Sequence, residues 1–200
     1  MSLATFREAL GSKLGQVITP ELAAWLEANA FEHFDLSHEP AKFGKVDYCG
    51  LTFQVERFRD IEAEIEPLHA AHWLETEKHR HGIAMKPDVE AFKADERAGR
   101  LIQFTARDGA GQLVGNIRMY LYTSRHTQES ESKEDTFFLL PAYRIGFAAI
   151  RFWQFMESSV LAIGVRDVYT DSKLINQVGR LNEYLGYTHV ANVFHKRLGE

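Results

Sequence analysis

Two histidines and a glutamate in the stretch "PLHAAHWLETEKHRHG" are spaced so that their side chains share one face of a helix. His72, Glu75 and His79 follow one another at steps of three and four residues, and helix residues at that spacing are neighbours. Imidazole and carboxylate groups suit general acid–base chemistry near neutral pH. A solvated helix surface explains the same pattern. A metal site that adds His69 and His81 is a third interpretation, although the spacing matches no catalytic zinc motif.

A second source of a catalytic carboxylate is the acidic pair Glu134 and Asp135, which enters the apolar run "TFFLLP". Side chains alternate along a strand, so we expect only one of the two carboxylates to face a cleft. Arg118, Tyr120 and Tyr122 also alternate, along the strand-like run "QLVGNIRMYLYTS", and therefore point one way. They line a substrate channel or coat an exposed sheet face.

The segment "FFLLPAYRIGFAAIRFWQF" changes from a dense apolar run to a helical pattern across a corner. The helix keeps a 3.6-residue period from Ala149 until Gly164 ends it. A helix N-terminus has unpaired N–H groups and partial positive charge, so the corner is suited to binding an anion, and Arg144 adds a guanidinium there. Pro, Gly and Arg at such a corner also serve simply to turn the chain.

The elements around these residues predict a mixed α/β layer. Their order is strand, two helices, three strands, helix, strand, helix, strand, with Pro67 starting the first helix and Asp108-Gly109 as a hairpin turn. The polar run "SRHTQESESKED" is expected to be a mobile loop. The predicted strands are "LTFQVERF", "LIQFTARD", "QLVGNIRMYLYTS", "TFFLLP", "VRDVYTDS" and "THVANVFHKRL".

Two amphipathic helices precede this order, and the second begins at Pro20 with Thr19 as its N-cap. Their apolar stripes need a partner surface, which is the domain itself or a second copy in a homodimer. We expect residues 1–48 to form a helical appendage and residues 49–200 to form the domain. The stripe residues are Leu3, Phe6, Leu10, Leu14, Leu22, Trp25, Leu26 and Ala30.

Composition narrows the function classes. The 200 residues carry a net charge of −5 without a long basic run, which argues against general nucleic-acid binding. Cys49 is the only cysteine, so an internal disulfide is excluded and a reducing cytoplasm is expected. The amino terminus lacks the pattern of a signal peptide and no segment is apolar enough for a membrane span, so we expect no membrane association.

The order of elements, together with "FLLPAYRIGFAAIRF" and the later "LNEYLGY", resembles the GNAT superfamily of acyl-CoA-dependent N-acetyltransferases. The resemblance covers about residues 51 to 198, and the "LPAYR" form is most similar to bacteriophage and prophage members. It implies that acetyl-CoA, or a related acyl-CoA, is the co-substrate. The family's pattern is Gln or Arg, two residues, Gly, one residue, then Gly or Ala. Counting from Arg144 makes Ala149 the final small residue but puts Phe147 where Gly is expected, whereas counting from Tyr143 fits Gly146 and Ala148 but not the first position. We favour the Arg144 register, because a guanidinium there adds positive charge beside the phosphates.

The resemblance implies roles for particular residues. Leu139 and Leu140 would pair with the pantetheine arm through their backbones. Asn182 stands where many members have a tyrosine that protonates the leaving thiolate, and Tyr184 should face elsewhere, so Tyr187 or ordered water would substitute. The pyrophosphate would be held by Arg144, Gly146, Phe147, Ala148 and Ala149, and the catalytic candidates are His72, Glu75 and Asp135.

The resemblance therefore implies an N-acyltransferase that moves an acetyl group to an amine by direct attack, without a covalent acyl-enzyme. The acceptor is a small-molecule or macromolecular amine, with nucleic acid entering only as a modified base. The alternative is a catalytically weak or inactive protein of the same fold that binds acyl-CoA or a partner chain. No His or Asp pattern around Cys49 marks it as a nucleophile, and a Gly-x-Ser-x-Gly elbow is absent.

Overall fold

The computed structural model describes residues 8–30, 35–76, 83–173, 178–196 and 198. Within them a six-stranded sheet carries helices on both faces. The strands are β1 Lys45–Tyr48, β2 Leu51–Glu56, β3 Leu101–Arg107, β4 Leu113–Thr123, β5 Ser130–Leu139 and β6 Asp167–Tyr169. The helices are α1 Pro20–Ala30, α2 Phe58–Thr76, α3 Val89–Arg97, α4 Ala148–Ala162 and α5 Val178–Tyr184, with 3₁₀ turns at Pro40–Lys42 and Pro141–Tyr143.

The strands lie in chain order from β1 to β6. All neighbours pair antiparallel except β5 and β6, which run parallel because α4 connects them. The mixed α/β fold expected from the sequence is confirmed. The hairpin between β3 and β4 is also confirmed, with its turn at Asp108, whose carboxylate accepts N–H bonds from Ala110 and Gln112.

Two apolar clusters cover the two faces of the sheet. Helix α4 packs on one face through fully buried side chains such as Phe152 and Trp153. Helices α2 and α3 cover the other face, where Phe58, Ile61 and Ile65 meet the strands. Each helix presents apolar residues at helical spacing, so the sheet is desolvated on both faces.

Helix α2 begins nine residues before Pro67, at Phe58, and Pro67 lies inside it. The sequence-based start at Pro67 was therefore wrong. The N-terminus of α2 is stabilised from a distant part of the chain, because the Glu96 carboxylate accepts the N–H groups of Phe58 and Arg59. Glu96 is 3 % exposed, and burial raises the pKa of its carboxyl.

Three further expectations differ from the structure. Strand β1 was not predicted, and it pairs with β2 through Lys45↔Gln54 and its neighbours. The polar run expected as a loop supplies the first half of β5, which begins at Ser130. The final strand "THVANVFHKRL" is not seen, because residues 188–196 and 198 have neither helix nor strand, and Phe194 is 91 % exposed. Packing against a neighbour decides strand formation as strongly as propensity does.

The N-terminal region has two parts with different relations to the sheet. Thr19 caps α1, as predicted, by accepting the N–H of Leu22 at 3.2 Å. None of the side chains described between residues 8 and 26 is buried, and Leu14 is 80 % exposed. Residues 35–48, by contrast, are joined to the domain, for example through the N–H of Leu36, which donates to the Arg97 carbonyl at 2.7 Å. The sheet therefore begins before the expected boundary at residue 49, while Leu3 and Phe6 lie outside the described residues.

None of the described helices is long and apolar enough to cross a membrane.

Candidate active site

The parallel ladder between β5 and β6 ends early. Its last pair is Lys133↔Tyr169, whereas β5 continues to Leu139. Among the described residues, the second half of β5 therefore pairs with β4 alone, and its edge on the side of β6 is open. A strand edge of this kind offers unpaired N–H and C=O groups to an extended ligand.

The hydrogen-bond register shows which residues present that edge. Leu140 donates its N–H to the Val114 carbonyl at 2.9 Å, so its amide faces β4. Because antiparallel strands alternate, Phe137 and Leu139 turn their amides toward the open side. Of the two residues predicted to bind pantetheine, Leu139 presents its backbone to the open edge and the Leu140 N–H does not. Phe137, which the sequence did not single out, lies on the same edge.

The corner after β5 leads into the N-terminus of α4. Gly146 has φ +52°, and a Cβ there would lie 3.1 Å from the Tyr48 hydroxyl. That hydroxyl accepts the N–H of Phe147 at 3.2 Å. Helix α4 has no side-chain N-cap, so the N–H groups of its first turn, including that of Ala149, point out of the helix end. Ala148 is buried, and its N–H donates to the Ile145 carbonyl at 3.0 Å.

The corner is braced from both neighbouring hairpins. The β1–β2 hairpin supplies Tyr48, and the β3–β4 turn supplies Asp108, whose carboxylate accepts the Tyr143 hydroxyl at 2.8 Å. Tyr48 precedes the expected start of the domain. Residues on both sides of that boundary thus shape the proposed phosphate site.

Two predicted site residues, Glu75 and Arg144, are joined in one ion pair across 69 positions of sequence. Nη1 of Arg144 lies 2.9 Å from one carboxylate oxygen of Glu75, and Nη2 lies 2.8 Å from the other. The Nε of Arg144 donates to the Leu139 carbonyl at 2.7 Å. His72 is nearby, its ring centroid 5.2 Å from that of Phe138. His79 and His81 lie outside the described residues.

The acidic pair is divided between the two faces of the sheet by a bulge in β5. Arg118 pairs with Thr136, but Met119 pairs with Glu134, which leaves Asp135 as the extra residue. Glu134 shares the face of Met119, the face covered by α4. Asp135 turns to the other face, where its carboxylate meets Nη1 of Arg118 at 3.2 Å.

Glu134 sits where the β5–β6 ladder ends. Its carboxylate accepts the Thr170 hydroxyl, at 2.9 Å, from the residue that follows β6. Burial raises the pKa of this carboxyl to about 7, although the hydrogen bonds from Thr170 and the Asp171 N–H oppose the shift. A carboxyl with such a pKa can accept a proton near neutral pH, which suits a general base.

Arg118 lies at the centre of the contacts on the sheet face that α2 and α3 cover. It is 1 % exposed, and its guanidinium lies over the rings of Phe58 and Phe92, at 4.9 and 4.0 Å from their centroids. Its Nη2 is 2.8 Å from Nε2 of His69. Burial and the nearby guanidinium lower the pKa of His69 to about 3, so the imidazole is neutral. Arg118 is thus neither exposed on the sheet nor available to a ligand without rearrangement.

Position 182, where many GNAT members have the tyrosine that protonates the leaving thiolate, is occupied by Asn182. Asn182 is 8 % exposed and Tyr184 is 68 % exposed, so Tyr184 points elsewhere, as predicted. Tyr187 is half-buried and its hydroxyl accepts Nε1–H of Trp153 at 2.9 Å. Burial raises the pKa of the Tyr187 phenol, which makes it a poor proton donor.

Within the described residues no three His, Cys, Asp or Glu side chains lie close enough together to hold a metal ion. Cys49 is exposed in the β1–β2 turn. The arrangement therefore offers an open strand edge, a helix end whose first N–H groups point outward, an arginine in the corner before that helix, and a carboxyl whose pKa is raised to about 7.

Comparison with solved structures identifies the fold. The chain is similar to a ribosomal-protein-alanine N-acetyltransferase from Brucella melitensis biovar Abortus 2308, with a TM-score of 0.58 and 17 % identity over 74 % of this chain and 99 % of that one. It has the GNAT acetyltransferase fold. An aminoglycoside acetyltransferase from an uncultured soil metagenomic sample shares the GNAT fold at a TM-score of 0.60 and 15 % identity, over 74 % and 99 % of the two chains.

A Trypanosoma brucei acetyltransferase also has this fold, with a TM-score of 0.56 and 14 % identity over 74 % of this chain and 99 % of that one. No protein-family model and no curated protein matches the sequence. The likeness thus lies in the fold.

Proposed function

We propose that this protein is an N-acyltransferase that moves an acetyl group from acetyl-CoA to an amine. The observation that carries the proposal is the open edge of β5 beyond Lys133↔Tyr169, which leads directly into the N-terminus of α4. An extended amide-containing arm and a pyrophosphate at its end require those two features in that order. Acetyltransferases of the same fold support the proposal.

In this proposal the pantetheine amides pair with Phe137 and Leu139 on the open edge. The pyrophosphate lies at the first turn of α4, where Ala149 is small enough for close approach and Arg144 supplies positive charge. Gly146 keeps the corner tight, since its positive φ is costly for other residues. Phe147 and Ala148 shape the corner through the backbone.

The reaction is a direct attack of a neutral amine on the thioester carbonyl. A C–N bond forms as the C–S bond breaks, the amine proton passes to the Glu134 carboxylate, and the thiolate leaves and is protonated by solvent. Holding the two reactants together can reduce the barrier by about 7–11 kcal/mol. Glu134 is better placed than Asp135 for the base, because Asp135 is paired with Arg118 on the opposite face.

The remaining catalytic candidates take positioning roles. Asp135 neutralises Arg118, Glu75 holds Arg144, and His72 packs on Phe138 beside the open edge. The acceptor stays a small-molecule or macromolecular amine. The bacteriophage-like form "LPAYR" is a resemblance of the corner and does not indicate which amine is used.

The test has two steps. Acetyl-CoA titrated into the protein should bind in a calorimeter, and thiol release from acetyl-CoA over a panel of amines should then exceed the rate without protein. A panel that combines small amines, amino sugars and lysine- or N-terminal-amine peptides covers the proposed acceptors. Failure of acetyl-CoA to bind would contradict the proposal.

One observation favours a second candidate function. Asn182 replaces the tyrosine expected for the thiolate acid, and Tyr187 is a poor donor. A protein of this fold that binds acyl-CoA without transferring the acyl group would show acetyl-CoA binding but no thiol release with any amine. The same two measurements therefore separate the two functions.

A further inference from the structure

All three nitrogens of the Arg144 guanidinium donate hydrogen bonds within the protein. Nε donates to the Leu139 carbonyl, and the two Nη atoms meet the two oxygens of Glu75. The guanidinium carbon also lies 5.3 Å from the centroid of the Phe138 ring. The cation expected to meet the phosphates of acyl-CoA is thus held by a carboxylate of α2 in the ligand-free protein.

The two contacts of Arg144, with the Leu139 carbonyl and with Glu75, each block a different part of the proposed acyl-CoA site. The Leu139 carbonyl belongs to the open edge of β5, so a bond from Arg144 Nε removes one acceptor that a pantetheine amide would use. The Glu75 carboxylate occupies both outer nitrogens in the forked geometry that a phosphate would also adopt. Arg144 cannot donate the same pair of N–H groups to Glu75 and to a phosphate at the same time.

We propose that Glu75, Arg144 and the Leu139 carbonyl form a latch that acyl-CoA must open. This inference rests on the proposed function. The phosphate replaces Glu75 on the guanidinium, the side chain turns to the helix N-terminus, and the Leu139 carbonyl is released for the pantetheine arm. The latch can open because Arg144 and Glu75 are 39 % and 40 % exposed, and exposed ion pairs are weak.

Removing the charge of Glu75 should therefore tighten acyl-CoA binding. In Glu75→Gln the Kd for acetyl-CoA, measured by calorimetry, should fall by roughly twofold to fivefold, which is the range expected for loss of an exposed ion pair. The matched control is Glu62→Gln. Glu62 lies on the same helix, is 42 % exposed, and pairs with Lys93 at 2.6 Å away from the corner, so this variant should leave the Kd unchanged.

A double-mutant cycle tests whether Arg144 carries the effect. In an Arg144→Ala background there is no latch, so adding Glu75→Gln should not change the Kd further. If Glu75 instead repels the phosphates directly, the change would tighten binding equally in both backgrounds, and the latch would be refuted. An unchanged or higher Kd in Glu75→Gln alone would also refute it.

These outcomes are distinct from failure of the proposed function. If acetyl-CoA binds to none of the four proteins, the acyltransferase proposal and the latch are refuted together. The four proteins are the wild type, Glu75→Gln, Arg144→Ala and the double variant. Binding by the wild type with no response to Glu75→Gln would refute the latch alone.

Discussion

Replacing Glu134 by Gln should change how the stability of the protein depends on pH. The carboxyl of Glu134 has a pKa raised from 4.5 to about 7 in the folded protein. Between those two values the folded state binds more protons than the unfolded state, so the free energy of unfolding decreases as pH rises through this window. Gln cannot ionise, and its amide oxygen can still accept the Thr170 hydroxyl.

The size of the effect follows from the same two values. Each pKa unit corresponds to about 1.4 kcal/mol, so ionising Glu134 in the folded state costs at most about 3 kcal/mol. The side chain keeps some contact with solvent, which makes this an upper limit. At pH 5 Glu134→Gln should be more stable than the wild type by no more than about 1 kcal/mol, and at pH 8 by up to about 3 kcal/mol.

Urea unfolding at several pH values from 5 to 8, followed by tryptophan fluorescence, measures this difference. Glu129→Gln, which removes a carboxylate from the exposed β4–β5 turn, is the control. A stability difference between Glu134→Gln and the wild type that does not change with pH would refute the assignment of a raised pKa. The same variant tests catalysis, because loss of a general base should reduce kcat/KM by about 10²- to 10⁴-fold and remove the increase of activity with pH up to about 7.

Three further predictions concern the corner, the cysteine and the N-terminal region. Ala149→Glu should abolish acetyl-CoA binding in a calorimeter, because a carboxylate would meet the pyrophosphate. The control Ala162→Glu, at the exposed far end of α4, should bind acetyl-CoA as the wild type does. Equal affinities of the two variants would contradict the proposed phosphate site. Cys49→Ser should keep most of the activity, and acetyl-CoA alone should leave no acetylated protein by intact mass spectrometry; a chased acetyl-Cys49 would overturn direct transfer. Removing residues 1–34 should preserve acetyl-CoA binding but change the sedimentation profile if α1 joins two copies, and an unchanged profile would contradict the homodimer.

Elements with strong local signals could be predicted from the sequence. Thr19 and Pro20 marked the start of α1, and Gly164, with φ +94°, ended α4 where the helical period stopped. Elements that depend on distant partners were missed. Strand β1 is short and polar and forms against β2, and α2 begins at Phe58 because Glu96 caps it from α3.

The residues of the candidate site also divide into those with a local sequence signal and those that depend on distant partners. The corner at Arg144 and the strand leading into it were recognisable, because the change from apolar run to helical period is a local signal. The bond of Arg144 to Glu75 joins residues 69 positions apart, and no spacing rule connects them. The bulge at Asp135 also has no signature in the sequence, yet it places Asp135 beside Arg118 and the adjacent Glu134 on the α4 face.

The buried Arg118 has a consequence for how β4 and β5 choose their register. Without the extra residue, alternation would place Asp135 on the α4 face, away from Arg118, and would turn Glu134 to the face of Arg118. A buried guanidinium that loses the carboxylate beside it costs several kcal/mol, so the bulge and the Arg118–Asp135 ion pair support each other. The bulge thus keeps Asp135 with the buried cation and leaves Glu134 on the α4 face, at the end of the β5–β6 ladder.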